Sequence, residues 1–212
     1  RQYLPKSRSP FAFTEGWQAI KNSFEAALLV NTILPNTTLV YSYVTKSNPS
    51  TGLPGGRSSD INYFRDINED GVNMFTVQNN SFDALTLTGT WYYAANMTSD
   101  NSVLAALGGN GDANILWGDA TYKADAFTVG LQGGQVDPDG LSSTSAWGAK
   151  IAGDLGMFSL LAAYSSVDDG TVSIHNLGTG VKTPLYTQAI ANQNAIKKDS
   201  DTFNLAAGMK AL

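Results

Sequence analysis

Apolar and polar residues alternate along most of this chain. Leu85, Leu87, Gly89, Trp91 and Tyr93 share one parity, and Thr86, Thr88, Thr90 and Tyr92 share the other. Phe127, Val129 and Leu131 alternate with Thr128, Gly130 and Gln132, and Phe203, Leu205, Ala207 and Met209 alternate with Thr202, Asn204, Gly208 and Lys210. A repeat of two gives a β-sheet one apolar and one polar face. The pattern predicts nine strands, over 23–31, 37–46, 72–79, 85–95, 114–123, 126–135, 146–153, 157–167 and 202–211. The segment 72–79 is mixed, because Val72, Met74, Phe75 and Val77 occupy both parities. Short helices are predicted over Thr14–Lys21 and Leu185–Lys198.

The connections carry more information than the strands. Short ones at 32–36, 80–84, 124–125 and 154–156 alternate with long ones at 47–71, 96–113, 136–145 and 168–201. A soluble sandwich has no reason to gather its long loops at one end. Outer-membrane barrels do so, with short turns on one side of the bilayer and long loops on the other. The predicted fold class is therefore all-β, a transmembrane antiparallel up-and-down β-barrel.

Composition narrows the picture further. The 212 residues carry 42% apolar and 15% charged side chains, and a formal net charge of −5. Disorder calls for few apolar residues and high charge, which this chain does not have. A nucleic-acid binder would show a basic stripe. The absence of cysteine removes disulfides, thiol catalysis and thiolate metal sites. Apolar runs such as Ala26–Val30 and Leu160–Ala163 are far shorter than the ~20 residues of a transmembrane helix. The sequence opens at Arg1 without a signal-peptide pattern, so the expectation is a processed chain or part of a longer one.

Charge placement agrees with a barrel. A Lys or Arg facing lipid at mid-bilayer costs about 2–4 kcal/mol. Glu25, Lys46, Asp119, Lys123, Lys150 and Lys210 each fall on the more polar parity of their segments, which makes them pore-lining candidates. Aromatics gather near the strand ends. Tyr41, Tyr43, Trp91, Tyr93, Trp147, Tyr164 and Phe203 lie toward the long loops, and Tyr122, Phe127 and Phe158 toward the short turns. Interfacial girdles have this distribution.

Several ordered stretches are similar to a known family. Phe11-Ala12-Phe13-Thr14-Glu15-Gly16-Trp17 followed by Asn22-Ser23-Phe24-Glu25-Ala26-Ala27, then Leu34-Pro35-Asn36-Thr37-Thr38-Leu39-Val40 and Gly133-Gly134-Gln135-Val136-Asp137-Pro138, resemble the OprD-like porins and the major outer membrane porin of Campylobacter-type bacteria. The resemblance runs along most of the chain and rests on the ordered set. It implies a porin barrel of about 16–18 strands, a homotrimer, and passive passage of small hydrophilic solutes and ions across the bacterial outer membrane. It also suggests that Arg1 and Arg8 stand near a constriction. Nine strands would be about half of such a porin. An open sheet would leave unpaired backbone groups in hydrocarbon. Residues 1–212 are thus expected to be part of a single outer-membrane β-barrel domain, truncated at both ends.

Other chemistry is sparse. Asp66-Ile67-Asn68-Glu69-Asp70-Gly71 opens like a calcium loop, with Asp66, Asn68 and Asp70 as ligand candidates. The bidentate Glu expected at position twelve is replaced by Val77, which favours a plain acidic loop. Gly108-Gly109-Asn110-Gly111-Asp112 reads as a flexible loop. His175 is the sole imidazole, so it has no histidine partner for a metal pair, and no nucleophile-elbow motif accompanies it. No catalysis and no cofactor other than calcium is expected. The acidic loop residues Asp60, Asp66, Glu69, Asp70, Asp100 and Asp112 point to cation enrichment at the mouth, opposite in sign to the lysines of the lumen, and the expectation leans to a cation preference.

The leading expectation is a passive diffusion porin with 168–201, containing Thr183-Pro184-Leu185-Tyr186, folded inward as a constricting loop. The alternatives are a soluble or secreted β-sandwich adhesin, which would bury the apolar parity inside, a non-conducting structural barrel, and a barrel enzyme, which would need an acid or His–Ser constellation at one mouth.

Overall fold

A computed structural model describes residues 1–16, 21–48, 64–179, 182–188 and 196–209. The main strands are β1 (Phe24–Asn31), β2 (Thr37–Ser47), β4 (Val72–Phe82), β5 (Leu85–Ala94), β6 (Ala113–Lys123), β7 (Phe127–Pro138), β8 (Thr144–Leu155), β9 (Phe158–Val167) and β10 (Ser200–Met209). A two-residue strand, β3 (Arg65–Asp66), and two short helices, α1 (Met97–Asp100) and α2 (Ser102–Ala106), lie in the long connections. The sheet runs β1-β2-β4-β5-β6-β7-β8-β9-β10, every neighbour antiparallel, with β3 paired to β2 off this path. This is the up-and-down meander that the alternation predicts, strand for strand.

The tight turns lie at one end. The β8–β9 hairpin turns at Gly156, whose φ of 61° suits a two-residue loop. The β4–β5 hairpin places Ala84 at φ 61°, a conformation that a Cβ disfavours. At the other end one expected long loop shrinks. Gln135–Pro138 stay in register with Ala113–Leu116, so the connection from β7 to β8 is only 139–143. The other three long connections remain long. Neither predicted helix forms in its described part, since residues 14–16, 185–188 and 196–198 are irregular.

The two faces separate cleanly. Leu87, Trp91, Leu116, Leu131, Trp147, Ile151, Leu160 and Leu205 stand exposed on the convex side. Among the described residues, no second layer of protein covers them, which removes the β-sandwich reading. The opposite parity faces inward. Near the long loops it is apolar and buried under two inward-folded segments, the arm 3–15 and the described parts of the following long loop, 168–179 and 182–188. Phe11 packs edge-on against Tyr92 and Trp117, with ring centroids 5.9 and 5.3 Å apart. Val72, Met74, Ile115 and Val136 join this cluster.

That packing explains the mixed segment. In β4, Val72, Met74 and Thr76 turn inward and are buried, while Phe75 points outward and is exposed. Both parities are apolar because one meets the arm and the other the outside.

Aromatics form the expected bands on the convex face. Trp147, Tyr164 and Phe203 follow one another at 5.1 and 4.9 Å, and Trp91 stacks on Tyr93 at 6.2 Å. Their polar tips reach toward the loops: Trp91 Nε1 donates to Asn114 Oδ1 at 3.1 Å, and the Tyr93 and Tyr164 hydroxyls donate to Asp112 and Asp201. Tyr122 and Phe127 pair at 6.4 Å near the turns.

Candidate permeation cleft

Beyond the apolar cluster around Phe11, toward the short turns, the inward face becomes polar. There it walls a cleft of about 460 Å³. Thr86, Thr88, Thr121 and Gln132 supply its floor; Lys6, Asp119, Lys123, Lys150 and Tyr186 supply its charges and its one phenol. The strand repeat fixes this placement. Asp119, Thr121 and Lys123 alternate along β6 with the outward Gly118, Ala120 and Tyr122, while Lys150 projects inward from β8.

The inward loop is fastened to this wall through Tyr186. Its hydroxyl donates to Asp119 Oδ2, and Thr121 Oγ1 donates to the other carboxylate oxygen at 2.9 Å. Lys150 Nζ sits 4.2 Å from the centre of the Tyr186 ring, a cation–π contact. With its amide turned to suit both neighbours, Gln132 donates to the Pro184 carbonyl at 3.3 Å and accepts from Tyr186 N at 2.8 Å. Gly130, beneath the ring, leaves no room for a Cβ: one would stand 2.7 Å from the Tyr186 oxygen. Burial, followed by the bond to Asp119, raises the phenol pKa above its usual value, so Tyr186 stays a neutral donor.

A second recess of about 360 Å³ joins the first through Lys6, Lys150 and Tyr186 and adds Glu15 and Lys182. Glu15 is buried, and its Oε1 accepts from Thr179 Oγ1 at 2.6 Å and from Asn176 Nδ2 at 3.2 Å. These bonds tie the arm to the long loop. Lys6 is crowded by protein yet still reaches solvent. This confinement, then the positive charges of Lys182 and Lys150, lowers its pKa to about 8; Asp119 and Glu15 act in the opposite direction. Burial also lowers Lys182, with Glu15 opposing.

Of the sequence-derived candidates, Asp119, Lys123 and Lys150 meet in the cleft. Arg8 lies on the inward side, where its Nε donates to Gln78 Oε1 at 3.2 Å. Arg1 is exposed over the Phe64 ring at 4.7 Å, beside the β1 end nearest the long loops, and not at the cleft. Glu25 and Lys46 are also removed from it. A bulge at Glu25/Ala26 shifts the register, leaving Glu25 opposite Lys46 at the long-loop end. Lys46 Nζ is 3.3 Å from Asp66 Oδ1. Phe24 and Ser47 take the inward positions there. Lys210 and Asp60 lie outside the described residues. Lys6, Tyr186 and Glu15 were missed because they sit outside strands, where alternation gives no signal.

The calcium candidates do not converge. Asp66 is taken by Lys46, Asn68 Nδ2 donates to the Ala95 carbonyl at 2.8 Å, and Asp70 Oδ2 accepts from Asn96 at 2.7 Å. Among the described residues, no three acidic or histidine side chains group as a metal would need. The glycine loop 108–112 is well bonded, with the Gly111 carbonyl accepting from Thr98 N and Oγ1.

No protein-family model matches the sequence, and no curated protein matches it. Solved structures do. The chain is similar to Pseudomonas aeruginosa OccK3 (OpdO), with a TM-score of 0.71 at 14% identity over 94% of this chain and 51% of that one. It is similar to Pseudomonas aeruginosa OccK7 (OpdD) at 0.69, 12% identity, 93% and 50%, and to OccK8 (OprE) of the same organism at 0.62, 14% identity, 94% and 55%. It thus spans about half the length of the channels it matches. At such identities the likeness establishes the fold: an all-β antiparallel meander that matches about half of an OprD-family outer-membrane barrel.

Proposed function

We propose that this chain is part of a single outer-membrane β-barrel domain whose lumen lets small hydrophilic solutes and ions diffuse passively. The observation that carries the reading is the division of the sheet: an uncovered apolar face with aromatic bands outside, and a polar, charged cleft inside. Lipid acyl chains suit the first and water the second. The arm and the loop held by Tyr186 narrow the lumen.

The cleft also suggests a selectivity. Lys6, Lys123 and Lys150 stand against Asp119, a net positive set, and in a narrow aqueous passage such charges attract anions. The acidic mouth loops have the opposite sign, but they face open water where salt screens them. We therefore infer a preference for small anions.

Planar-bilayer recording of the full-length protein tests both points. Stepwise conductance is expected, with a reversal potential in a salt gradient that favours chloride and moves toward potassium in Lys123→Glu and Lys150→Glu. Absence of conductance overturns the channel in favour of a plugged structural barrel, a rival the packed arm and loop make worth separating. An unmoved reversal potential overturns the selectivity. The homotrimer belongs to the same proposal, and a monomeric mass by light scattering of the detergent-solubilised protein would remove it.

A further inference from the structure

Away from the cleft, toward the long loops, the arm, the wall, the short helices and the inner loop enclose a separate cavity of about 130 Å³. Val72, Met97, Leu104, Ile115 and Val136 give it an apolar lining. One ring breaks that lining. His175, on the inner loop, borders the cavity, and its Nε2 is buried without a hydrogen-bond partner. A buried polar atom left unpaired is costly, so a wall holding one is incomplete as it stands.

Water is a poor fit for this place. A buried water needs 2–4 polar partners. The Tyr92 hydroxyl, the other polar group inside, is already engaged by Phe11 N at 3.0 Å and Ser9 Oγ at 3.3 Å. Ser173 is exposed. The volume is close to that of apolar cavities, about 150 Å³, known to stay dry and accept a benzene-sized molecule. Apolar surroundings exclude a charged guest. Burial also holds the imidazole pKa below its ordinary value, so the ring is neutral near pH 7. A hydroxyl serves either tautomer, because it can donate to a bare Nε2 or accept from a protonated one.

We propose that this cavity is a binding site for a small neutral ring compound bearing one hydroxyl, which His175 Nε2 recognises by a hydrogen bond. The site is distinct from the permeation cleft and does not depend on it.

The methionines supply the test. Met97 lines the cavity, whereas Met157, in the β8–β9 turn, and Met209, on the convex face, are exposed and open to the micelle. The full-length protein, labelled on its methionine methyls and held in micelles, is titrated with phenol and, separately, with benzene. The Met97 methyl is expected to shift saturably, while Met157 and Met209 drift in proportion to the phenol dissolved in the micelle. Phenol is expected to bind about tenfold more tightly than benzene, the worth of one hydrogen bond. His175→Phe keeps a ring of similar shape without the acceptor and should abolish that tenfold gap. Ala94→Leu, which fills the cavity from β5, should remove the saturable shift for both probes. A Met97 response that merely follows Met157 and Met209 overturns the site. A phenol advantage that survives in His175→Phe overturns the role of the imidazole.

Discussion

Arginine at Leu131 puts the membrane reading to its hardest test. Leu131 is outward on β7 and 56% exposed, midway between the turn-side aromatic Phe127 and Gln135, whose neighbour in register is Leu116. Strands of 10–12 residues, such as β5 and β7, rise about 3.3 Å per residue. Tilted by about 45°, they cross roughly 25 Å, the height of the apolar band of such barrels. Leu131 therefore falls near the bilayer midplane. There an arginine costs about 2–4 kcal/mol, falling to about 0–1 kcal/mol at the interface. Leu155→Arg, also outward but beside the β8–β9 turn, should cost only the smaller amount. Thr128→Arg points into the wet interior from the same strand as Leu131 and should stay within about 0.5 kcal/mol. The assay is denaturant unfolding of the full-length protein in phospholipid vesicles, read by tryptophan fluorescence. Equal costs for Leu131→Arg and Thr128→Arg would refute the assignment of the two faces, as would a native protein that stays soluble without detergent.

Other predictions follow from the packing. Phe11→Ala removes a buried ring between Tyr92 and Trp117; a loss of about 3–5 kcal/mol should fall on the arm, seen as protease cleavage before residue 16 while the strands stay protected. Tyr186→Phe and Asp119→Asn both break the loop's fastening, and single-channel records should become noisier with little change in global stability. Lys6 is charged below about pH 8 and neutral above it, so anion preference should fall between pH 7 and 9, and Lys6→Met should flatten that profile. The unfolded chain binds this proton up to the ordinary value of 10.5, so stability should rise with pH across the window from about 8 to 10.5. Ala84→Gly relieves a left-handed turn and should raise stability by about 1 kcal/mol in the same unfolding assay.

The wall was legible in the sequence because water and lipid on opposite sides impose a strict repeat of two. Segments such as 85–95 and 126–135 therefore declare their faces. Legibility failed wherever a third environment intervened. Val72 and Met74 blurred β4 because the arm makes part of the interior apolar. Lys46 was placed in the lumen because a bulge at Thr45 reverses the parity of β2 without leaving a mark in composition, and Glu25 because a single charge made the outward parity of β1, shared with Ala27 and Leu29, look the more polar one. The cleft was half visible: Asp119, Lys123 and Lys150 lie on strands, but Lys6 and Tyr186 reach it from irregular segments whose course depends on distant contacts. The β7–β8 connection was overestimated because Asp137 and Pro138 look like loop residues, although their backbones continue the ladder with β6.

One property of the meander limits how a ring could ever be completed. β1 and β10, its two outermost strands, both run from the long-loop end toward the short turns. Any antiparallel closure must therefore insert an odd number of strands between them. Two copies related by a twofold along the cylinder axis would have to meet in parallel. Two copies related by a perpendicular twofold could pair antiparallel, but one would then present its loops where the other presents its turns. A cylinder with a consistent inside-out polarity needs a complement unlike this sheet in strand direction at both seams.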